Sequence, residues 1–432
     1  MRRTPALAGL ALALLSYAFP GVARESPRVY VDGVARVIEQ DYFDEARAKQ
    51  IAARLRSAAA KGEFDAIVDP RELASALTTQ LEPFDRHFRV GWSDTPRAPA
   101  AEGPVAAPVQ SPDKHRRSNY GVRRAEVLSG NIGYLDLRGF APIAFGVAGQ
   151  PERQAIDAAL QLLAGTDALI IDLRENGGGA PQMVGYLGST FVKKDADIFN
   201  TFHGRGRTMS EAPLEWYAQP RLDTPLFILT SARTASAAEA FAYTLQSAKR
   251  ATVIGEASMG AANPGGEVDA GHGFSVFVSF ATPINPITKA NWEGRGVTPD
   301  VVVAPAAALG AARRLAMEAV LAKGLSAQST TDTRWALEAL LAETSAMQPV
   351  SASDYAGAYG TMVIGTAQDR LVLQQGRRPT RTLLPVGADS FAVLENPSQR
   401  VVFQRNAKGE VVALELRHSD GDASRHRRGA RP

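Results

Sequence analysis

Apolar positions recur at three- and four-residue spacing over Val31–Gln40, Ala46–Ala60 and Arg71–Leu81, which predicts three amphipathic helices within a helical segment spanning 28–92. The stretch Thr95–Pro112 (TPRAPAAEGPVAAPVQSP) breaks that rhythm, and its proline and alanine content predicts an extended linker over 93–118. From Tyr120 strands and helices alternate. Val122–Leu128 and Asn131–Leu137 read as a hairpin around Ser129-Gly130. A helix over Gln154–Leu163, a buried strand over Ala168–Leu173 and a helix over Gln182–Phe191 follow. The next units are a strand over Leu226–Thr230, a helix over Ala237–Ser247 and strands over Ala251–Gly255 and Gly273–Phe280. This repetition predicts an α/β fold with a mostly parallel sheet covered by helices. Helices over Ala306–Ala322 and Trp335–Glu343 lead to 351–418, where short alternating runs such as RLVLQQ, RVVFQR and VVALELR predict a small antiparallel barrel or sandwich.

The N-terminus changes where this fold is expected to work. Arg2 and Arg3 precede the apolar run Ala6–Leu15, and Gly21-Val22-Ala23 supplies small residues at a cleavage site, so 1–23 reads as a secretory signal. The apolar run is short for an uncleaved anchor, which needs about 20 residues. No later run is long and apolar enough to span a bilayer, so an exported protein is expected, periplasmic or secreted, with no stable membrane span after cleavage. Cysteine is absent from the chain, which excludes thiol catalysis and thiolate metal sites. The formal charge of +3 falls to +1 without Arg2 and Arg3, so the basic balance is no argument for nucleic acid. The run Arg425–Arg431 (RHRRGAR) reads as a basic, disordered tail over 421–432.

The candidate chemistry centres on Leu229–Leu245 (LTSARTASAAEAFAYTL), where a buried strand turns into a helix opening near Ser236. A hydroxyl there meets unpaired N–H groups and the positive end of a helix, a place suited to a nucleophile and its oxyanion donors. The competing reading is an ordinary N-cap. Asp172–Gly179 (DLRENGGG) closes a strand with three glycines, as ligand-binding turns at parallel strand ends do, and it lacks the Lys-Ser/Thr of a phosphate loop. Of six histidines only His87, His203 and His272 are realistic bases for Ser236. Glu293, in the tight turn of NWEGRGVTPD (291–300), could orient an imidazole or simply face solvent. A Ser–Lys pair is the rival scheme, but Lys249 lies at the far end of the Ser236 helix and Gly255–Gly266 contains no lysine.

As a set, TASAAE (234–239), GEASMGAANPGG (255–266), DLRENGGG and NWEGRGVTPD resemble the carboxyl-terminal-processing (tail-specific) serine peptidases, in the branch of tricorn and interphotoreceptor-retinoid-binding-protein-like proteins, over about 28–305. The resemblance implies a crotonase-like (ClpP/crotonase) α/β core. With the elements above this gives a helical cap at 24–92, a peptidase core at 119–305, a helical connector at 306–350 and a β-rich accessory domain at 351–420. The processing branch carries its lysine where this chain has Ala261, so the resemblance points instead to the tricorn-like set: Ser236 as nucleophile, His87 as base and Glu293 as supporting acid. The oxyanion donors it implies are the N–H groups of Gly177 or Gly178 together with Ala237. Tricorn has a second serine immediately before its histidine, where this chain has Arg86. A peptide-binding PDZ module has no room in the short linker. The expected activity is hydrolysis of a peptide or protein substrate, with no cofactor, no metal and no nucleic acid. The alternative is a non-catalytic periplasmic module binding an apolar ligand or peptide on the same fold.

Overall fold

The computed structural model describes residues 26–94, 112–344 and 351–429, so the expected signal at 1–23 and most of the Pro/Ala segment lie outside the described residues. Helices α1 (Pro27–Asp41), α2 (Glu45–Ala60) and α3 (Pro70–Leu81) begin at Ser26, Asp44 and Asp69, whose side chains accept hydrogen bonds from first-turn N–H groups. The segment 28–92 is not helical throughout. It ends in strand β1 (Arg89–Trp92), and this strand decides where His87 sits.

A short helix α4 (Pro112–Arg117), within the span read as linker, leads to the central sheet. Its strands are β2 (Val122–Leu128), β3 (Ile132–Leu137) and, after helix α5 (Pro151–Leu162), β4 (Ala168–Asp172). Helix α6 (Pro181–Ser189) and the hairpin of β5 (Thr201–Gly204) and β6 (Arg207–Ser210) precede β7 (Leu226–Thr230). Helix α7 (Ala237–Ser247) and β8 (Thr252–Gly255) follow, then β9 (Gly265–Gly271), β10 (Phe274–Ser279), β11 (Ala281–Ile284) and β12 (Val301–Val302). The six-stranded order is β12-β8-β7-β4-β3-β2, parallel except for the β2/β3 hairpin. β4 and β7 are buried along their whole length, as strands covered on both faces must be. Helices α5, α6 and α7 share one apolar core with one face, and α8 (Pro305–Lys323) with α9 (Ala327–Thr344) covers the other.

The cap is joined to this unit by a strand pairing. β1 pairs antiparallel with β10, with Arg89 opposite Phe277 and Trp92 opposite Phe274, while β9 flanks β10 on its other side. Phe274, Val276 and Val278 of β10 share a core with Val34, Ile38 and Leu77 of the cap helices. Burying side chains of that size contributes roughly 2 kcal/mol each, so docking rests mainly on this apolar seam.

After helix α10 (Ala352–Tyr355), eight antiparallel strands run in chain order from β13 (Gly357–Tyr359) to β20 (Ala423–Arg427). A bridge between Tyr359 and Arg428 joins the first strand to the end of the last, which closes the meander into a barrel filled by its own side chains, Tyr359, Leu373 and Leu414 among them. Ala423–Arg427, read from sequence with the basic tail at 421–432, is thus a paired strand, and Gly429 donates to the Ala358 carbonyl at 2.8 Å.

Candidate active site

Ser236 stands at the end of the connection from β7, immediately before α7. The turn is tied down by threonine and serine side chains: Thr234 Oγ1 donates to the Leu173 carbonyl at 2.8 Å and accepts from Ser231 N at 3.0 Å. Ala235 N donates to the Asn176 carbonyl, so the turn is also anchored to the glycine loop after β4. The consequence is an unusual backbone at Ser236, with φ 54° and ψ −121°. Such conformations cost a non-glycine residue roughly 1–3 kcal/mol and persist where the surroundings enforce them. Part of that enforcement is Glu239, whose carboxylate accepts from Ser236 N at 2.8 Å. The half-buried Ser236 side chain lies against Gly178: a Cβ added there would meet Ser236 Cβ at 2.8 Å and the Ala235 carbonyl oxygen at 2.9 Å. Gly178 also has φ 107°, so both conformation and space demand glycine.

The three expected oxyanion donors divide. Gly178 N–H donates to Asn176 Oδ1 at 2.8 Å and is therefore committed within the loop, which leaves Gly177 of the two glycines the sequence offered. The N–H groups of Gly177 and Ala237 have no acceptor among the described residues. Ala237 is the first residue of α7, where a helix has no internal acceptor for its N–H.

His87 follows α3 and lies two residues before the start of β1, so the β1–β10 pairing carries it to the central unit, with its ring against Phe277 at 6.0 Å between centroids. The ring partner in hydrogen bonding is Asp85. Asp85 Oδ1 lies 3.2 Å from His87 Nδ1 and accepts His87 N–H at 2.9 Å, while Asp85 Oδ2 accepts from Asn263 Nδ2 at 3.2 Å. Glu293 joins this group: one ligand-type atom each of Asp85, His87 and Glu293 lie within 4.8 Å of one another. Burial alone would depress His87, but the Asp85 hydrogen bond and the charges of Asp85, Glu293 and Glu239 outweigh it and hold the imidazole above its ordinary value. Burial likewise opposes ionisation of Asp85, yet its bonds to His87 leave it below the usual carboxylate range. Glu293 is pushed up by burial and by the neighbouring Asp85 charge.

A strap of four residues links the two halves. Gly260 and Ala261 donate their N–H groups to Glu239 at 2.6 and 2.9 Å, and Ala262 and Asn263 donate theirs to Glu293 at 2.7 and 3.1 Å. Ala261, at the lysine position of the processing branch, thus has its backbone in the strap and no amine to offer. Among the described residues no hydrogen bond joins the imidazole to Ser236 Oγ. Arg86 turns away from the histidine, donating to the Met259 carbonyl at 3.1 Å. His203 lies on β5 and His272 in the β9–β10 turn, so neither belongs to this cluster. Sequence reasoning raised Asp85 only as a replacement, alongside water, for the contact of tricorn's second serine, and it passed over Glu239 and Asn263. Glu239 was signalled by the Ser-x-x-Glu spacing of a capping box.

Residues 131–303 match the family model of peptidase family S41. Over 181 residues the chain is 30% identical to a carboxy-terminal-processing protease of Bartonella bacilliformis, covering 41% of this chain and 39% of that protein. A carboxyl-terminal-processing protease of Picosynechococcus sp. is 30% identical over 177 residues, covering 40% and 39%. The chain therefore spans about two fifths of the length of these curated relatives. The solved photosystem II D1 C-terminal processing protease is 18% identical with a TM-score of 0.41, covering 65% of this chain and 94% of that one. Through residues 131–303, which hold the glycine turn, Ser236 and Glu293, the chain resembles the carboxyl-terminal-processing serine peptidases of family S41.

Proposed function

We propose that the chain is an exported serine peptidase that hydrolyses peptide bonds through an acyl-enzyme on Ser236. The observation that carries this reading is the strained Ser236 backbone at the mouth of α7, beside a glycine turn and strapped to an Asp85–His87–Glu293 cluster. In this reading His87 takes the Ser236 proton as Oγ attacks the scissile carbonyl, then gives it to the leaving amine. Water attacks the acyl-enzyme by the same route in reverse. Asp85 orients the imidazole through Nδ1, and Glu293 adds a second negative charge that favours the imidazolium. The oxyanion rests on the N–H groups of Gly177 and Ala237, each worth roughly 3 kcal/mol. Ser236 and His87 must close to hydrogen-bonding distance when substrate is bound, a tightening familiar in active sites.

The organisation that goes with this reading is a leader at 1–23, a cap at 24–92, a core at 119–305, a connector at 306–350 and an accessory barrel from 351. No helix of the described residues is long and apolar enough to cross a membrane. A fluorophosphonate probe tests the proposal. Labelling should disappear in Ser236→Ala, and turnover in that variant or in His87→Ala should fall by about 10⁴–10⁶. Folded protein that never labels would instead favour the non-catalytic binding module.

A further inference from the structure

We infer that Asp85, His87 and Glu293 form a binding site for a divalent transition-metal ion of the zinc class, which switches the peptidase off by occupying the imidazole. The regulatory half rests on the proposed function; the site itself does not. Two carboxylates converge on one imidazole, and among the described residues neither carboxylate is ion-paired to a lysine or arginine. Buried charges are normally paired or bound to metal; Asp85, whose side chain is 1% exposed, is ion-paired only with the 16%-exposed His87 ring, and Glu293 forms no ion pair among the described residues.

The spacing suits an ion. Nitrogen and oxygen ligands about 2.0–2.1 Å from a tetrahedral zinc stand about 3.3 Å apart; Asp85 Oδ1 and His87 Nδ1 are 3.2 Å apart, and with Glu293 the three ligand atoms lie within 4.8 Å of one another, a spread that an ion would draw in. Three protein ligands with an open fourth position is a common zinc arrangement. A second observation points the same way. Asn263 is 4% exposed and its amide rests on Asp85, yet its Oδ1 has no hydrogen-bond partner among the described residues. An unused buried carbonyl oxygen beside two carboxylates is a further acceptor with no proton to receive, which a cation or its bound water would satisfy.

Loss of activity follows from the imidazole's two nitrogens. An ion takes one lone pair, and the proton of a neutral ring occupies the other nitrogen, so none remains for the Ser236 proton. The ion needs no other change in the site.

The test uses the full chain without a histidine tag and cobalt(II) as a visible probe. One equivalent should give saturable d–d absorption that zinc bleaches. Ser236→Ala and His203→Ala should bind as wild type, while His87→Ala and Glu293→Gln, checked for folding by circular dichroism, should each lose at least about tenfold in affinity. Zinc should suppress fluorophosphonate labelling of the wild type, and a chelator should restore it. Absence of saturable binding, or affinity that survives either cluster substitution, overturns the site. Binding without any labelling of apo protein would sink the peptidase reading alone, and strong labelling that zinc leaves unchanged would sink the regulatory role.

Discussion

Glu211 is a buried acid with no ion pair among the described residues, and its titration makes a sharp test. It is 3% exposed, beneath the C-terminal half of α7. Its Oε2 accepts from Asn200 Nδ2 at 2.6 Å, and its Oε1 has no partner among the described residues. Burial dominates and raises its pKa from 4.5 to about 7, against the opposing hydrogen bonds of Asn200 and Thr244. Between those two values the folded chain holds a proton that the unfolded chain has released. Stability from this group is therefore complete below about pH 4.5 and is lost as pH rises through about 7. One proton corresponds to about 1.4 kcal/mol per pH unit, so the full loss is about 3 kcal/mol. Glu211→Gln cannot titrate and should remove one proton's worth of slope. The assay is urea unfolding in half-unit pH steps, followed by Trp216 and Trp292 of the core in a Trp92→Phe, Trp335→Phe background. Other groups cancel in the comparison, and the cost of a new amide shifts the curve without tilting it. Parallel curves for the Glu211→Gln variant and its parent across this interval would refute the account of Glu211.

Four further outcomes follow from the site and the cap seam. The kcat/KM profile should rise with pH through a midpoint above that of an ordinary histidine, because the proposed base His87 must be neutral to act and its neighbours favour the charged form. Asp85→Asn should move that midpoint down and reduce kcat by about 10²–10⁴ through loss of ring orientation; Glu293→Gln, which keeps the Asp85 bond, should cost less. A larger loss in Glu293→Gln than in Asp85→Asn, in the same steady-state assay, would reverse their roles. Gly178→Ala should abolish probe labelling of Ser236, since the new methyl collides with Ser236 Cβ and the Ala235 carbonyl. Phe274→Ala empties a fully buried position in the cap seam and should cost about 3–5 kcal/mol, read as faster hydrogen exchange in α1 and α3 with kcat falling in parallel.

The parts of the fold legible in sequence are those whose signal is local. ALIID and LFILT are continuous apolar runs because both faces of β4 and β7 are covered, and the helices between them repeat at helical spacing. β1, β5 and β6 carry no such signal. Each is four residues long and β6 is exposed throughout; β1 becomes a strand by pairing with the distant β10 and β5 by pairing with the distant β11, while β6 depends on its hairpin with β5. The same reasoning accounts for the tail. The charge in RHRR suggests solvation, but pairing with β19 makes Ala423–Arg427 a strand, and Arg428 N donates to the Val412 carbonyl while its guanidinium donates to the carbonyls of Asp354 and Ala356. No window of a few residues contains that information.

The site divides along the same line. Ser236 and its capping glutamate are one turn of one helix, so strand, turn and acid can be read together from TASAAE. Which glycine N–H is available depends on Asn176, whose side chain reaches the carbonyl of Leu137 and the N–H of Gly178 at once. Glu293 could be suspected only from its motif, because its partners Ala262 and Asn263 come from another loop. His87 is the extreme case. It lies outside the 131–303 segment, and it reaches the cluster because four residues of β1 find the open edge of β10. The proposed base, delivered by a strand of four residues, is held less firmly than the proposed nucleophile, which sits in the turn between β7 and α7. Cap docking is thus the step on which the pairing of His87 with Ser236 depends, and a substitution that loosens the seam should act on kcat before it acts on the stability of the sheet.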